Sequence, residues 1–451
     1  GAGGDSFTLR IHVSGQGLKD LVANYPFIFE VLEPGEIEAA ESGGSGNPSE
    51  PELVLNAPDP EAPAVGVVDS GIQEGHRLLA PAIDSSRSAS FVRNDPTFAD
   101  LVKPGGHGTR VAGAVLFRDQ VPQTGTHQLP FWLQNARVLD RKNQIPKSMP
   151  PAQLSRAAIL GLQGGSKPTR IFNHSINAKG PCRMTHMSAW AVAIDQLSFE
   201  KDILVVQSTG NLLTGAVTDW MNATASVSGN AYPGYLDAAS SRISDPAHSL
   251  QALTVGSVTY DGFNNGRWQS FASGPDEPSA FTRCGLGIWG TIKPEVVDYG
   301  GDYLHTSSQG HVDVAFPTVP DPPYPNLVRA TLGVGPAVDR DQVGTSFAAP
   351  KVTHIAAHLQ ALLPNEPALL YRALIVQSAR WPRWALALLD AYRTEKEKNR
   401  VQRQRIKAAE KRARAKGTPT IPGSIAPVDV SREQELEREL HNVVRRLGFG
   451  I

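Results

Sequence analysis

Short apolar runs and helical segments alternate through the middle of this chain. The run AVGVVD at residues 64–69 is almost wholly apolar, as expected for a parallel strand that is buried on both faces. The segment HGTRVAGAVLF at residues 107–117 has the composition of a helix rich in small side chains. Later segments repeat this alternation, with strands predicted at 135–140, 170–177, 202–210 and 251–259, and helices at 151–163, 187–200, 347–363 and 367–379. The pattern predicts an α/β fold with a mostly parallel central sheet and helices on both faces.

Different patterns flank this region. Within residues 1–33, the segments FTLRIHVS, GLKDLVANY and FIFEVLE predict a strand, a helix and a second strand. Residues 34–63 are rich in Gly, Pro, Ser and Glu, and predict a flexible linker. Residues 391–430 predict a basic helix and a loop, since they hold eleven Lys and Arg against three Glu. Residues 431–451 predict a helix that begins with a capping-box-like Ser and leads back to the main domain.

Composition narrows the classes of function. The 451 residues carry 43 Lys and Arg against 44 Asp and Glu, so no overall charge attracts the chain to nucleic acid or to a membrane. No run of about 18 apolar residues predicts a membrane span. Cys182 and Cys284 could form one disulfide, but two independent buried thiols are the favoured interpretation. The opening residues GAGG give no information on export.

Four polar residues stand at positions where α/β proteins build active sites. Asp69 ends the first buried strand, and His107 stands between glycines immediately before a helix. Ser346 begins the helix of GTSFAAP, where unpaired backbone N–H groups favour a negative charge. Asn211 follows the strand VVQSTG and offers a side-chain amide. Taken singly, these residues are also consistent with a turn Asp, a surface-loop His, an N-cap Ser and a turn Asn. Together they supply a nucleophile, a base, a group that orients the base and donors for an oxyanion.

The short sequence motifs around these four residues resemble those of one protein family. VVDSGI, GGHGTRVAG, STGN and GTSFAAP resemble, in this order, the four active-site segments of subtilisin-like serine proteases, the subtilases. The resemblance covers roughly residues 64–385 and returns at residues 445–451. It implies a three-layer subtilisin-like catalytic domain at residues 64–390 and a serine endopeptidase activity without a cofactor.

The resemblance also implies a role for each residue. Ser346 is expected to attack the scissile carbonyl, His107 to take its proton and Asp69 to orient the imidazole. Asn211 and the Ser346 N–H are expected to bind the oxyanion. The substrate is expected to add as a strand to Ser175, Ile176 and Asn177, opposite residues 141–145. The wall of the primary pocket is expected to include Ser208, Thr209 and Gly210, with its base within residues 212–235; the side-chain preference stays open.

Further expectations concern metals and partners. The loop FRDQVPQTGTHQ after the His107 helix keeps only Asp119 as an obvious hard ligand, so the calcium site of many subtilases is not expected. The sequence contains no HExxH motif, and its two cysteines do not have the spacing of metal ligands, so a catalytic metal is not expected. His174 and His354 are expected to be structural. Residues 7–33 resemble the second half of the family's propeptide, or else are a simple decoration. Polypeptides are the expected partners; nucleic acid and membranes are not.

The resemblance leaves the biological setting open. Some bacterial subtilases of this appearance that lack a signal peptide are encoded beside an ATPase, which would make this a regulated cytoplasmic protease. Members of the family usually continue past the motif LGFGI at residues 447–451, so a longer natural protein is expected. A latent subtilase fold that binds proteins without cutting them is the alternative. A nucleic-acid-binding effector that uses the basic insertion is a third interpretation.

Overall fold

The computed structural model describes residues 2–3, 6–7, 9–31, 53–102, 106–146, 149–164, 167–224, 232–330, 336–416 and 428–451. Its strands are β1 (Ala2–Gly3), β2 (Ser6–Phe7), β3 (Leu53–Asn56), β4 (Ala64–Asp69), β5 (Ala89–Ser90), β6 (Gly125–Gln128), β7 (Trp132–Arg137), β8 (Ile171–His174), β9 (Leu204–Ser208), β10 (Leu253–Val258), β11 (Gln269–Ser270), β12 (Val296–Tyr299), β13 (Leu304–Ser308), β14 (His311–Ala315), β15 (Leu327–Val328) and β16 (Val338–Asp339). Its helices are α1 (Gly15–Asn24), α2 (His107–Phe117), α3 (Pro151–Gly161), α4 (Ala189–Lys201), α5 (Thr214–Thr224), α6 (Thr345–Leu362), α7 (Ala368–Ser378), α8 (Arg383–Ala415) and α9 (Ser431–Leu447).

A seven-stranded sheet forms the centre of the main domain. Its strand order is β12-β10-β9-β8-β4-β7-β5, and every neighbouring pair is parallel. Helices are needed to connect parallel strands, which explains the alternation seen in the sequence. The predicted α/β fold with a parallel sheet is confirmed.

The pleat of the sheet explains why β4 is apolar up to its last residue. Val65 and Val67 of β4 pack in the core beneath α2, α6 and α7. Val68 of the same strand packs in a second core with α3 and α4 on the opposite face. Since successive side chains of a strand point to opposite faces, a strand covered on both faces is expected to be mostly apolar on both.

In the N-terminal segment, the predicted helix forms but the two predicted strands do not. The helix is confirmed as α1, where the Ser14 hydroxyl accepts a hydrogen bond from the Gly17 N–H at 3.1 Å. Residues 9–14 and 27–31 are not strands, and residues 32–33 lie outside the described residues. Strands need hydrogen-bonded neighbours to be stable, and no described strand lies beside these stretches.

The predicted linker at residues 34–63 extends too far toward the C-terminus, because it includes residues that form a strand. Residues 34–52 lie outside the described residues, but Leu53–Asn56 form β3, which pairs in parallel with β6. Leu53 and Leu55 also pack against the main core. Residues 53–56 therefore pack with the main domain rather than forming part of a linker.

The C-terminal elements match their prediction closely, but the basic helix starts earlier. It is one continuous helix, α8, which packs against α9. Asn399 is buried between them, and its Nδ2 donates to Glu433 Oε2 at 2.8 Å. Helix α9 begins at Ser431 as predicted, although the carboxylate of Asp429, rather than a capping box, accepts the Ser431 N–H.

The structure also tests the predictions made for the two cysteines and for membrane-spanning helices. Cys182 and Cys284 are separate buried thiols, which confirms the favoured interpretation. Within the described part of the chain, no helix has the length and apolar character that crossing a bilayer requires.

A buried ammonium group connects α6 to the loop after α2. The side chain of Lys351 is 0% exposed, and its Nζ lies 2.8 Å from Asp119 Oδ2. The Tyr260 hydroxyl and the Tyr299 carbonyl accept further hydrogen bonds from it. Burial lowers the pKa of Lys351, whereas the carboxylates of Asp119 and Asp298 act in the opposite direction. The charge is therefore tolerated because several oxygens surround it.

Removal of one partner should destabilise the domain. We expect Asp119→Ala to lower the free energy of unfolding by about 3 kcal/mol or more, because the Lys351 charge would stay buried without its closest carboxylate. The exposed pair of Asp390 and Arg393 at 3.6 Å offers the matched control. Asp390→Ala should change stability by less than about 0.5 kcal/mol, as measured by urea unfolding. Equal effects of the two variants would contradict the prediction.

Candidate active site

The carboxyl edge of the sheet brings Asp69 and His107 together. Asp69 is the last residue of β4 and His107 is the first of α2. Asp69 Oδ1 lies 2.7 Å from His107 Nδ1 and also accepts the Ser70 N–H at 2.7 Å. The carboxylate is fully buried, so it holds the proton on Nδ1 and leaves Nε2 as an acceptor. Two of the predicted site residues therefore meet in the arrangement of a base and its orienting group.

The charge around His107 favours protonation of its ring. Burial acts to lower the pKa of His107, but it is outweighed by the charge and the hydrogen bond of Asp69, and also by the charge of Asp100. The net effect raises the pKa above its ordinary value of 6.5. An imidazole in this environment accepts a proton readily, as a general base must.

Asp100 is a site residue that sequence reasoning missed. Helix α2 has Gly106 at its N-cap and so lacks a capping side chain of its own. Asp100 Oδ2 accepts the Thr109 N–H at 3.0 Å and the Thr109 hydroxyl at 2.7 Å. The Ser70 hydroxyl accepts the Gly108 N–H at 2.9 Å and donates to Asp100 Oδ1 at 3.3 Å. Two side chains from outside the helix thus cap the turn that carries His107.

The packing at Gly106 shows how closely this carboxylate approaches the helix. Gly106 has a φ of 56°, and a Cβ at this position would lie 1.9 Å from Asp100 Oδ2. Only glycine fits there. A glycine before a helix, with an acidic residue in the preceding loop, was the available sequence signal for a cap supplied from a distance.

Asp100 itself titrates near neutral pH. Burial raises its pKa to about 6, and the charge of Asp69 acts in the same direction, while hydrogen bonds from Thr109 and Val102 oppose the shift. Since the pKa of Asp100 is higher in the folded state than in the unfolded state, its contribution to stability is present at low pH. That contribution is lost as the pH rises through about 6.

Ser346 lies in the first turn of α6 and is 9% exposed. Its hydroxyl donates to the Ser175 carbonyl at 3.2 Å. Among the described residues, no hydrogen bond joins this hydroxyl to His107, although both side chains line the same cleft. Catalytic hydrogen bonds are often absent or poorly aligned before substrate binds.

Pro350 explains a second bond between the same two serines. It lies in the second turn of α6. A proline has no N–H, so the carbonyl four residues earlier, that of Ser346, loses its helical partner. The Ser175 hydroxyl donates to that carbonyl at 3.2 Å. Ser346 is therefore bound to Ser175, which follows β8, through both its hydroxyl and its backbone.

The orientation of Asn211 is fixed by its neighbours. Its Oδ1 accepts the Thr345 N–H at 2.9 Å and the Thr345 hydroxyl at 3.0 Å. The amide oxygen is thus occupied, which leaves the Nδ2 donors for the cleft that Asn211 lines. This is the geometry that an oxyanion donor requires.

The predicted substrate-binding residues divide into two groups. Ser175, Ile176, Asn177 and Gly210 line the cleft together with His107, Asn211 and Ser346. Ser208 and Thr209 are fully buried and do not line it. Ser208 lies behind the edge, where its hydroxyl donates to Asn177 Oδ1 at 2.5 Å.

Several lining residues come from segments that the sequence did not connect with the site. Asn143 is the one member of the expected facing edge, residues 141–145, that lines the cleft. Tyr303, Phe316 and Val343 line it from parts of the chain that the sequence did not connect with the site. In contrast, Leu213 lies within residues 212–235, where the base of the pocket was expected, and it lines the cleft too. The positions of Tyr303, Phe316 and Val343 depend on packing between segments far apart in sequence, which no local pattern reveals.

The calcium ligand set of many subtilases does not fit this chain. Asp119, the one hard ligand of that loop, is paired with the Lys351 ammonium group. A second cation at this carboxylate would be repelled. Among the described residues, no group of three or more His, Cys, Asp or Glu side chains is placed to hold a metal ion.

Comparison with known families identifies the chain. The sequence model of the subtilase family of peptidases matches residues 61–409, which include all four predicted catalytic residues. The chain belongs to the subtilase family. The predicted family is therefore confirmed, and with it the class of enzyme to which this subtilase is related, the serine endopeptidases.

Individual relatives of this subtilase are distant. An uncharacterized protein of Sinorhizobium fredii, y4bN, is 28% identical over 214 residues, which is 46% of this chain and 48% of that protein. The alignment thus spans about half of the relative's length. A cold-adapted subtilisin-like serine proteinase of known structure is 19% identical, covers 70% of this chain and 81% of its own, and has a TM-score of 0.43. The S41 psychrophilic protease is 17% identical, and the alignment covers 73% of this chain and 85% of that protease, with a TM-score of 0.45.

The pH dependence of this subtilase should report on Asp100. Asp100→Asn removes a negative charge that raises the pKa of His107. The acid limb of kcat/KM reflects protonation of the base in the free enzyme, so we expect it to move to lower pH in the variant. The free energy of unfolding should also fall less steeply than in the parent as the pH rises through about 6, because the contribution of Asp100 is absent.

A remote carboxylate provides the control for this experiment. Asp313 is 65% exposed on the β13–β14 hairpin, and Asp313→Asn should leave the acid limb in place. An unchanged pH profile in Asp100→Asn would show that Asp100 does not act on His107.

Proposed function

We propose that this subtilase hydrolyses peptide bonds of proteins through Asp69, His107 and Ser346, with an acyl-enzyme intermediate. The observation that carries the proposal is the 2.7 Å contact between buried Asp69 and His107 in a cleft that Ser346 also lines. His107 Nε2 takes the proton of the Ser346 hydroxyl as the oxygen attacks the scissile carbonyl. The same proton then passes to the leaving amine, and water repeats the sequence on the ester.

Two donors are available for the developing oxyanion. The Ser346 N–H lies in the first turn of α6, where N–H groups have no helical partner and the helix dipole favours negative charge. Asn211 Nδ2 is left free for the cleft because Oδ1 is bound to Thr345. Donors held in advance stabilise the transition state without reorganisation of the site.

The substrate is proposed to bind as an extended strand against Ser175, Ile176 and Asn177. These residues follow β8 and line the cleft beside Ser346. In the absence of substrate, the Ser346 hydroxyl bonds to the Ser175 carbonyl. Substrate entry would free the hydroxyl to turn to His107, because an added strand competes for the backbone groups of that edge.

Regulation by the N-terminal segment is a further part of the proposal. Glu30 lies 2.8 Å from Arg183 and 2.9 Å from His186 of the catalytic domain. Phe29 packs edge-on against the His186 ring, with centroids 4.8 Å apart. These contacts support a propeptide-like segment that stays docked. A cytoplasmic location and an ATPase partner remain predictions of the family resemblance.

A single substitution tests the catalytic proposal. Ser346→Ala should abolish casein hydrolysis, with a loss near 10⁶-fold in kcat, because no other group supplies the nucleophile. The matched control is Ser378→Ala, which changes an exposed serine in α7 and should keep full activity. Casein cleavage by Ser346→Ala at the rate of the control would reject the proposed nucleophile.

One observation favours a latent protein-binding module as the second candidate function. The Ser346 hydroxyl is bound to Ser175 rather than to His107. A fluorophosphonate probe reacts only with an activated serine and so separates the two functions. Labelling of the wild type but not of Ser346→Ala supports the endopeptidase, whereas no labelling of either supports the latent module.

The docking of the N-terminal segment can be measured by limited proteolysis. In a Ser346→Ala background, Glu30→Ala should speed tryptic removal of the segment because both contacts to the catalytic domain are lost. Asp20→Ala is the control, since Asp20 is exposed on α1 of the same segment. Equal cleavage rates in the three proteins would mean that Glu30 does not hold the segment.

A further inference from the structure

Two histidines lie one turn apart on the outer face of α6. His354 is half-buried and His358 is exposed, and their Nε2 atoms are 3.0 Å apart. The ring of Phe131 packs edge-on against both imidazoles, with centroid separations of 5.3 and 5.5 Å. Residues four apart on a helix face the same side, so this proximity follows from the helix itself.

The first of these rings is oriented by a contact with another helix. His354 Nδ1 lies 2.8 Å from the carbonyl oxygen of Val115 in α2. Nδ1 must therefore carry the proton and donate it, which leaves a lone pair on Nε2. Histidines that bind metals are oriented in the same way, by donating the second ring N–H to a carbonyl or carboxylate.

The spacing of the two nitrogens suits a shared metal ion. Two nitrogens that each lie about 2.0–2.1 Å from one metal are roughly 2.9–3.4 Å apart at bond angles between about 90° and 109°. The observed 3.0 Å falls within this range. In the metal-free state, the Nε2–H of His358 donates to His354 Nε2 instead. Metal binding therefore requires a change of tautomer at His358 and a rotation of the rings that directs both lone pairs to one ion.

A cation acts on this pair. The charge of Arg118 reaches His354, but Arg118 is itself paired with Asp298 Oδ2 at 2.9 Å. Metal ligands must be unprotonated, so binding at this pair requires both imidazoles to be neutral.

We propose that His354 and His358 form a chelating site for a late first-row divalent cation such as Zn²⁺. Imidazole nitrogen is a preferred ligand of these ions, and exposed His358 leaves the remaining coordination positions to water. The site is separate from the catalytic one, since eight residues of helix, about 12 Å, lie between Ser346 and His354. Both ligands lie on α6, which carries Ser346, and His354 also contacts the Val115 carbonyl of α2, which begins at His107.

Metal titration of the full-length chain tests the site. In the Ser346→Ala background, which prevents self-digestion, calorimetry with ZnCl₂ should show one saturable site per chain. His358→Ala should weaken binding about tenfold or more, because a single imidazole remains. His354→Ala should do the same. His441→Ala, which removes an exposed histidine from α9, should bind as the parent does.

A spectroscopic measurement identifies the ligands directly. With one equivalent of Cu²⁺, electron paramagnetic resonance should show hyperfine coupling to two nitrogens in the parent chain and to one in His358→Ala. Because His358 is exposed, this variant keeps the fold, which circular dichroism checks. Absence of saturable binding in the parent chain, or equal affinities in the parent and His358→Ala, would overturn the proposal and leave an imidazole–imidazole hydrogen bond as the whole explanation.

Discussion

The hydrogen bond between Asp69 and His107 depends on where one helix begins. Asp69 is fixed by the central strand β4, but His107 is the first residue of α2, and the ends of helices fray unless they are capped. The cap here comes from Ser70 and Asp100, which bind the N–H groups of Gly108 and Thr109. The imidazole is therefore positioned by the same segment that supplies the carboxylate, since Ser70 directly follows Asp69. Strand, cap and base form one connected unit.

Local sequence predicted most of this unit, but not its cap. The strand β4 is readable because it is a short apolar run, and α2 is readable because it is a long segment of small and apolar side chains; GTSFAAP marks the start of α6. Asp100 was missed because it lies in an irregular loop, where neither periodicity nor a motif points to it. The same limit applies to Tyr303 and Phe316, which line the cleft from a hairpin region far along the chain. Long-range packing decides such positions.

The errors at the N-terminal end have a related cause. The segment FIFEVLE has the composition of a strand, yet Phe27 and Phe29 are 81% and 80% exposed and pair with no described strand. In contrast, Leu53–Asn56 was assigned to a linker because of its Pro- and Glu-rich surroundings, and it forms β3 because β6 is available beside it. Strand formation depends on a partner, so composition alone gives the wrong answer in both directions.

The proline in α6 has a consequence for how the site responds to substrate. Pro350 frees the backbone carbonyl of Ser346, and the Ser175 hydroxyl binds it at 3.2 Å. The N-terminal end of α6 is thereby attached to the residue that follows β8. A peptide that adds to this edge, as proposed, would contact the same residue, Ser175, that holds Ser346 through its hydroxyl and its carbonyl.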